Sequence, residues 1–194
     1  MIRLLCLLAF VTLTFGYGPE DFIHILGATQ FGFWGQTAAC ANGSYAYAFD
    51  IMLENEHGIL DDDTSVNAIS LHCSTFDGNH TGEVTSSTMD RGRWTGVKAC
   101  EAGKFLKGYN IKSEASASDQ TAANGLKMWC QGSEEALEPP ENKWGVWLER
   151  ANCPGNKVIC GLMTNVQDNQ GTFGDDSALN DVRFLCCEPS AKQN

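Results

Sequence analysis

Six residues separate tryptophan from cysteine at Trp34 and Cys40, Trp94 and Cys100, Trp147 and Cys153. The same interval separates asparagine from cysteine at Asn67 and Cys73, Asn124 and Cys130, Asn180 and Cys186. Such recurrence marks a threefold repeat, with units at about 19–78, 79–135 and 136–194. A single unit of this size could hardly bury a core, so the three are expected to fold together as one domain.

Ahead of the first unit, Arg3 precedes the apolar run Leu4 to Leu13, followed by the small residues Gly16 and Gly18. This order of charge, apolar stretch and small residues reads as a secretory signal over residues 1–18. The run is shorter than the roughly 20 residues a spanning helix needs, so no membrane span is expected and the product is expected to be secreted and extracellular. Of nine cysteines, Cys6 falls inside the signal, which leaves an even eight for an oxidising compartment.

The repeat also narrows the pairing, because each unit holds one cysteine after its tryptophan and one after its asparagine. Cys40 with Cys73, Cys100 with Cys130 and Cys153 with Cys186 follow. Cys160 and Cys187 remain, each pointing to the strand face opposite its paired neighbour, and are expected to bond each other.

With a formal net charge of -11, the chain repels polyanions, so nucleic acid is excluded as a partner. Glycans, glycoproteins and basic extracellular proteins stay open. The sequons Asn42-Gly43-Ser44 and Asn79-His80-Thr81 offer N-glycosylation at Asn42 and Asn79.

Large residues Tyr45, Tyr47, Phe49, Ile51 and Leu53 alternate with Ala46, Ala48, Asp50 and Met52, the period of two of a β-strand. Phe105, Tyr109 and Ile111 keep the register in the second unit, as do Val158 and Leu162 in the third. Ala48, Gly108 and Gly161 hold one shared position small, which predicts close approach of a neighbouring strand. A second strand of each unit runs into its last paired cysteine through Ile69 and Leu71, Leu126 and Met128, Val182 and Phe184. Its alternate residues, such as Ser70, Lys127 and Arg183, are mostly polar, as on a solvated sheet face, with His72, Trp129 and Leu185 as exceptions. Short strands and 20 glycines indicate an all-β fold of three sheets about a pseudo-threefold axis. A three-sheet prism and a β-trefoil both fit this period.

The segment Asp175-Asp176-Ser177-Ala178-Leu179-Asn180-Asp181-Val182-Arg183-Phe184-Leu185-Cys186-Cys187 and the phrase Trp144-Gly145-Val146-Trp147, with their echoes in the other units, resemble the vitelline membrane outer layer protein 1 family. The resemblance implies a β-prism of three Greek-key four-stranded sheets. It also implies a secreted structural or protective component of an extracellular coat, with no established catalytic residues.

Equivalent acidic turns hold Asp62, Asp119 and Asp175, followed by Thr64, Thr121 and Ser177 after one intervening residue. Turn-building is the default for such residues, with Asn67, Asn124 and Asn180 bonding backbone at the strand starts. The functional alternatives are glycan hydroxyl binding, oxygen ligation of a hard cation such as calcium, or a carboxylate pair that cleaves or transfers chito-oligosaccharides. Trp34, Trp94 and Trp147, each in a Gly-x-Trp pattern, are expected to plug the shared core. Trp129 and Trp144, outside the repeated positions, are the better candidates for sugar stacking. His24, His57, His72 and His80 lack metal-ligand spacing, and neither a nucleophile elbow nor a phosphate-binding glycine pattern occurs. No metal or cofactor is therefore expected.

Overall fold

A computed structural model describes residues 16–29, 31–55, 64–114, 122–167 and 178–190. Residues 1–15 of the expected signal lie outside the described residues. A short 3-10 turn, Pro19–Asp21, leads into β1 (Phe22–His24), β2 (Phe33–Trp34), β3 (Ala38–Ala39), β4 (Ser44–Leu53) and β5 (Val66–Thr75). Then come β6 (His80–Thr85), β7 (Arg93–Trp94), β8 (Lys98–Ala99), β9 (Leu106–Ser113) and β10 (Ala123–Cys130). The chain ends through β11 (Ala136–Leu137), β12 (Val146–Trp147), β13 (Ala151–Asn152), β14 (Val158–Val166) and β15 (Leu179–Cys187).

Three antiparallel sheets result, each built on one long hairpin: β4 with β5, β9 with β10, and β14 with β15. In the sheet of β4 the order is β6-β5-β4-β7, with β8 also on β4. Three consecutive strands are thus followed by a fourth that returns beside the first, which is the Greek key. That fourth row is split into two two-residue strands, so four rows contain five segments. The other sheets repeat the plan, and the three form the sides of the β-prism.

No sheet is the work of one unit. The segment from tryptophan to cysteine in each unit crosses to the sheet of the unit before it: β7 and β8 pair with β4, and β12 and β13 with β9. The first unit closes the circle, because β1 pairs with β15 while β2 and β3 pair with β14. The close approach predicted at the small positions is the place of this crossing. A Cβ on Gly161 would stand 2.6 Å from the carbonyl oxygen of Ala38, and one on Gly108 would stand 2.7 Å from that of Ala151.

From Phe49 onward the large residues of the alternation face the axis, whereas a register shift between Ala46 and Ala48 turns Ala46 into the main core and leaves Tyr45 and Tyr47 to a second cluster. Phe49, Ile51, Ile69 and Leu71 meet Tyr109, Ile111, Leu126 and Met128 and, from the third sheet, Leu162, Val182 and Phe184, all buried in one cluster. Full burial of each contributes about 1.5–3 kcal/mol. Thr164 takes the place of Ile51 and Ile111 in the third sheet and satisfies its hydroxyl on the Ser87 carbonyl at 2.7 Å. The second cluster, Tyr45, Phe105, Val158, Cys160 and Leu185, plugs one end of the prism.

Bridges join Cys40 to Cys73, Cys100 to Cys130, Cys153 to Cys186 and Cys160 to Cys187. Cys40 is held on β14 through the Cys160 carbonyl, Cys100 on β4 through Tyr47, and Cys153 on the β9 side through Lys107. Their partners sit in β5, β10 and β15. The first three bridges therefore run between different sheets and tie the prism into a covalent ring, while the fourth staples β14 to β15 within one sheet.

Candidate functional site

Asp62, Asp119 and Asp175 lie outside the described residues, as do Thr121 and Ser177. The residues that flank these segments are described. Ser65, Ala122 and Ala178 occupy equivalent buried positions with φ of 60°, 49° and 43°. Their carbonyls accept the amides of Glu54, Glu114 and Gln167, which closes each hairpin. The side-chain amides of Asn67, Asn124 and Asn180 donate to the same three carbonyls at 3.0, 3.5 and 3.1 Å. These asparagines are structural, as the turn-building reading holds, and each pins a left-handed residue that lacks glycine's freedom. Asn180 in addition accepts Thr29 Oγ1 at 2.9 Å. Replacing Asn180 by Ala is expected to cost about 1–2 kcal/mol by urea unfolding, since buried partners lose their bonds.

The repeated tryptophans are not in the core. All three lie on the outer sheet faces, Trp94 with 45% of its surface exposed. The glycine of Gly-x-Trp serves a different need from plugging the core. Gly32, Gly92 and Gly145 have φ of 106°, 89° and 76°, and a Cβ there would stand 2.4–2.6 Å from the backbone of Val166, Leu53 or Ser113. Glycine lets the edge segment cross the end of the long strand, and the tryptophan after it then lands on the outside.

Two of these rings are covered by cations of their own sheet. The Arg183 guanidinium lies 4.1 Å from the Trp34 ring centre, and Lys127 Nζ lies 4.4 Å from that of Trp147. Lys127 also pairs with Glu138 at 2.9 Å, and His24 beside Arg183 meets Asp181 at 2.6 Å. The matching place beside Trp94 holds Ser70. A cleft of about 490 Å³ opens there, lined by Asp50, Ser70, His72, Glu83, Thr85 and Trp94. His72 is a strand residue of the outer face, with Nδ1 3.2 Å from Glu83.

Trp129 and Trp144 are half-buried. Arg150 stacks 4.3 Å over Trp129, whose indole N–H donates to the Glu134 carbonyl, and Lys143 lies 5.0 Å over Trp144. Asn42 and Asn79 are exposed, each just ahead of a strand, and the pairing of Ser44 with Thr75 puts both at the same end of one sheet. A second cleft of about 460 Å³ lies where His24, Ile25 and Leu26 face Trp147 to Ala151 across a sheet boundary. Among the described residues no group of three or more metal-ligating side chains occurs, and no helix is long and apolar enough to cross a membrane.

Among solved structures the fold resembles Calystegia sepium agglutinin, with a TM-score of 0.57 at 10% identity over 89% of this chain and 99% of that one. A mannose-binding jacalin-related lectin from Ananas comosus matches with a TM-score of 0.54 at 10% identity, over 87% and 99% of the two chains. At these identities the likeness concerns the fold. In sequence, the vitelline membrane outer layer protein 1 homolog of Homo sapiens is 36% identical over 179 residues, 88% of this chain and 86% of its own. The family described as vitelline membrane outer layer protein I (VOMI) matches residues 21–189, and the chain, with its threefold prism and its four bridges, belongs to that family.

Proposed function

We propose that the protein is a secreted structural component of an extracellular coat that binds glycans or glycoproteins and carries out no catalysis. The observation that carries this reading is the union of a covalently ringed prism with outer faces that bear tryptophans among polar side chains. Aromatic rings offer the apolar surface against which a pyranose stacks, and the polar neighbours bond its hydroxyls. Lectins among the fold's solved relatives, the mannose-binding one included, support a carbohydrate ligand. Family membership and four disulfides support the coat and the extracellular compartment. Asn42 and Asn79 are accessible for glycosylation in this setting. Asp62, Asp119 and Asp175 act, in this reading, as hydroxyl acceptors, and Trp129, at the Cys130 end of β10, and Trp144 as separate aromatic contacts.

The chain from about residue 19 should be retained on immobilised glycans or extracellular-matrix glycoproteins, and reduction of its bridges should abolish the retention. Changing Asp62, Asp119 and Asp175 together to Asn should weaken it. No retention above the reduced control would remove the binding role. Turnover of chito-oligosaccharides by the parent, lost in the triple variant, would replace it with a glycosidase or transglycosylase.

A further inference from the structure

The three outer faces share one plan, and the exception among them points to a partner. In two sheets a cation from the middle strand, Arg183 or Lys127, stacks on the tryptophan of the edge segment. In the third, the strand register places Ser70 opposite Asp50 and Thr85, on the row where Arg183 stands opposite Met163 and Lys127 opposite Asn110. Replacing a long cation by serine leaves the cleft against Trp94. Among the described residues, no Lys or Arg stacks on that ring.

Chemistry suited to a cation has stayed behind. Asp50 is 7% exposed and stands where the other sheets have the uncharged Asn110 and Met163. Its Oδ1 accepts the amides of Ile51, Thr95 and Gly96 and the hydroxyl of Thr95, at 2.8, 3.1, 3.0 and 3.0 Å. All four bonds fall on one oxygen, so Oδ2 has no donor among the described residues. Ser70, 4% exposed, has a buried Oγ with no hydrogen-bond partner. Glu83 adds a second carboxylate on the edge strand, as Glu138 does beside Lys127.

We propose that this cleft is a receptor for an arginine side chain supplied by a basic partner protein. The guanidinium stacks on Trp94 as Arg183 stacks on Trp34, and its N–H groups reach the free oxygen of Asp50 and the hydroxyl of Ser70. Arginine fits better than lysine, because a planar fork can stack and donate to two acceptors at once. A net charge of -11 draws basic partners to the surface and gives the association a strong salt dependence.

The test follows the indole N–H resonances of the 15N-labelled chain, with the Trp94 signal assigned by its absence in Trp94→Ala. The probes are a peptide with one arginine, its citrulline and lysine counterparts, and methyl mannoside. The arginine peptide should shift the Trp94 signal, and citrulline, equal in shape but uncharged, should bind at least tenfold more weakly. Ser70→Arg and Ser70→Lys graft the side chains of the sister faces, so both should fold with an unchanged spectrum elsewhere and lose the response at least tenfold. Equal binding of arginine and citrulline, full binding by Ser70→Arg, or no Trp94 shift with the arginine peptide would each overturn the proposal. A Trp94 shift with methyl mannoside alone would assign the cleft to glycans instead. That result would leave the glycan-binding function standing, just as failure of glycan retention would leave the arginine site intact.

Discussion

Removing the Cys100–Cys130 bridge, by changing both residues to Ser, is expected to lower unfolding free energy by about 3–4 kcal/mol, measured by urea denaturation without reductant. Its ends are 30 residues apart and its loop contains no other bridge, so the unfolded chain regains the full freedom of that loop. The same operation on Cys153 and Cys186 should cost less, about 2–3 kcal/mol. Cys160–Cys187 interleaves with that bridge and already draws the two segments together, so the loop newly released is short. Equal losses for the two variants would refute the chain-entropy account for this protein.

The second large effect is expected from Tyr109→Phe, at about 2–4 kcal/mol. Tyr109 is fully buried near the axis, packs edge-on against Phe184 at 4.7 Å, and bonds two otherwise separate segments. Its hydroxyl donates to the Val182 carbonyl at 3.0 Å and accepts the Ile25 amide at 3.0 Å. Phenylalanine keeps the packing and orphans both buried backbone groups. Burial, with Asp181 adding to it, holds the phenol far above the ordinary tyrosine range. The folded protein therefore keeps this proton while the unfolded chain ionises near pH 10. Stability from Tyr109 is complete below that pH and falls as pH rises above it, by about 1.4 kcal/mol per pH unit. Tyr109→Phe should lack this part of the alkaline slope, which a pair of urea series at pH 9 and pH 11 would measure.

Strand positions and inward faces were legible because alternation at a period of two survives in all three units, from Phe49 and Ile51 to Val182 and Phe184. The pairing of cysteines followed from the repeat for a similar reason: symmetry restricts partners even when geometry is unknown. Two features were not legible. A two-residue strand such as Arg93–Trp94 is too short to show which face is buried or which sheet it joins, so the crossing of each edge into the preceding unit's sheet stayed hidden. The tryptophans were consequently assigned to the core, although the glycine two residues before each was the signal for a tight crossing. The contrast of Ser70 with Lys127 and Arg183 was visible as letters. Its meaning required the register, which sets all three beside a tryptophan.

Donation of β1, β2 and β3 to the sheet of β14 and β15 also fixes an order of events. Among the described residues, β1, β2 and β3 find their strand partners only in β14 and β15, so the wall they share is finished when β15 has left the ribosome. Until then the opening segments wait with unsatisfied edges, and the earlier hairpins form first around an open seam. Maturation is thus closure of a seam by its oldest and newest residues, after which no sheet retains a unit that could be removed without opening another.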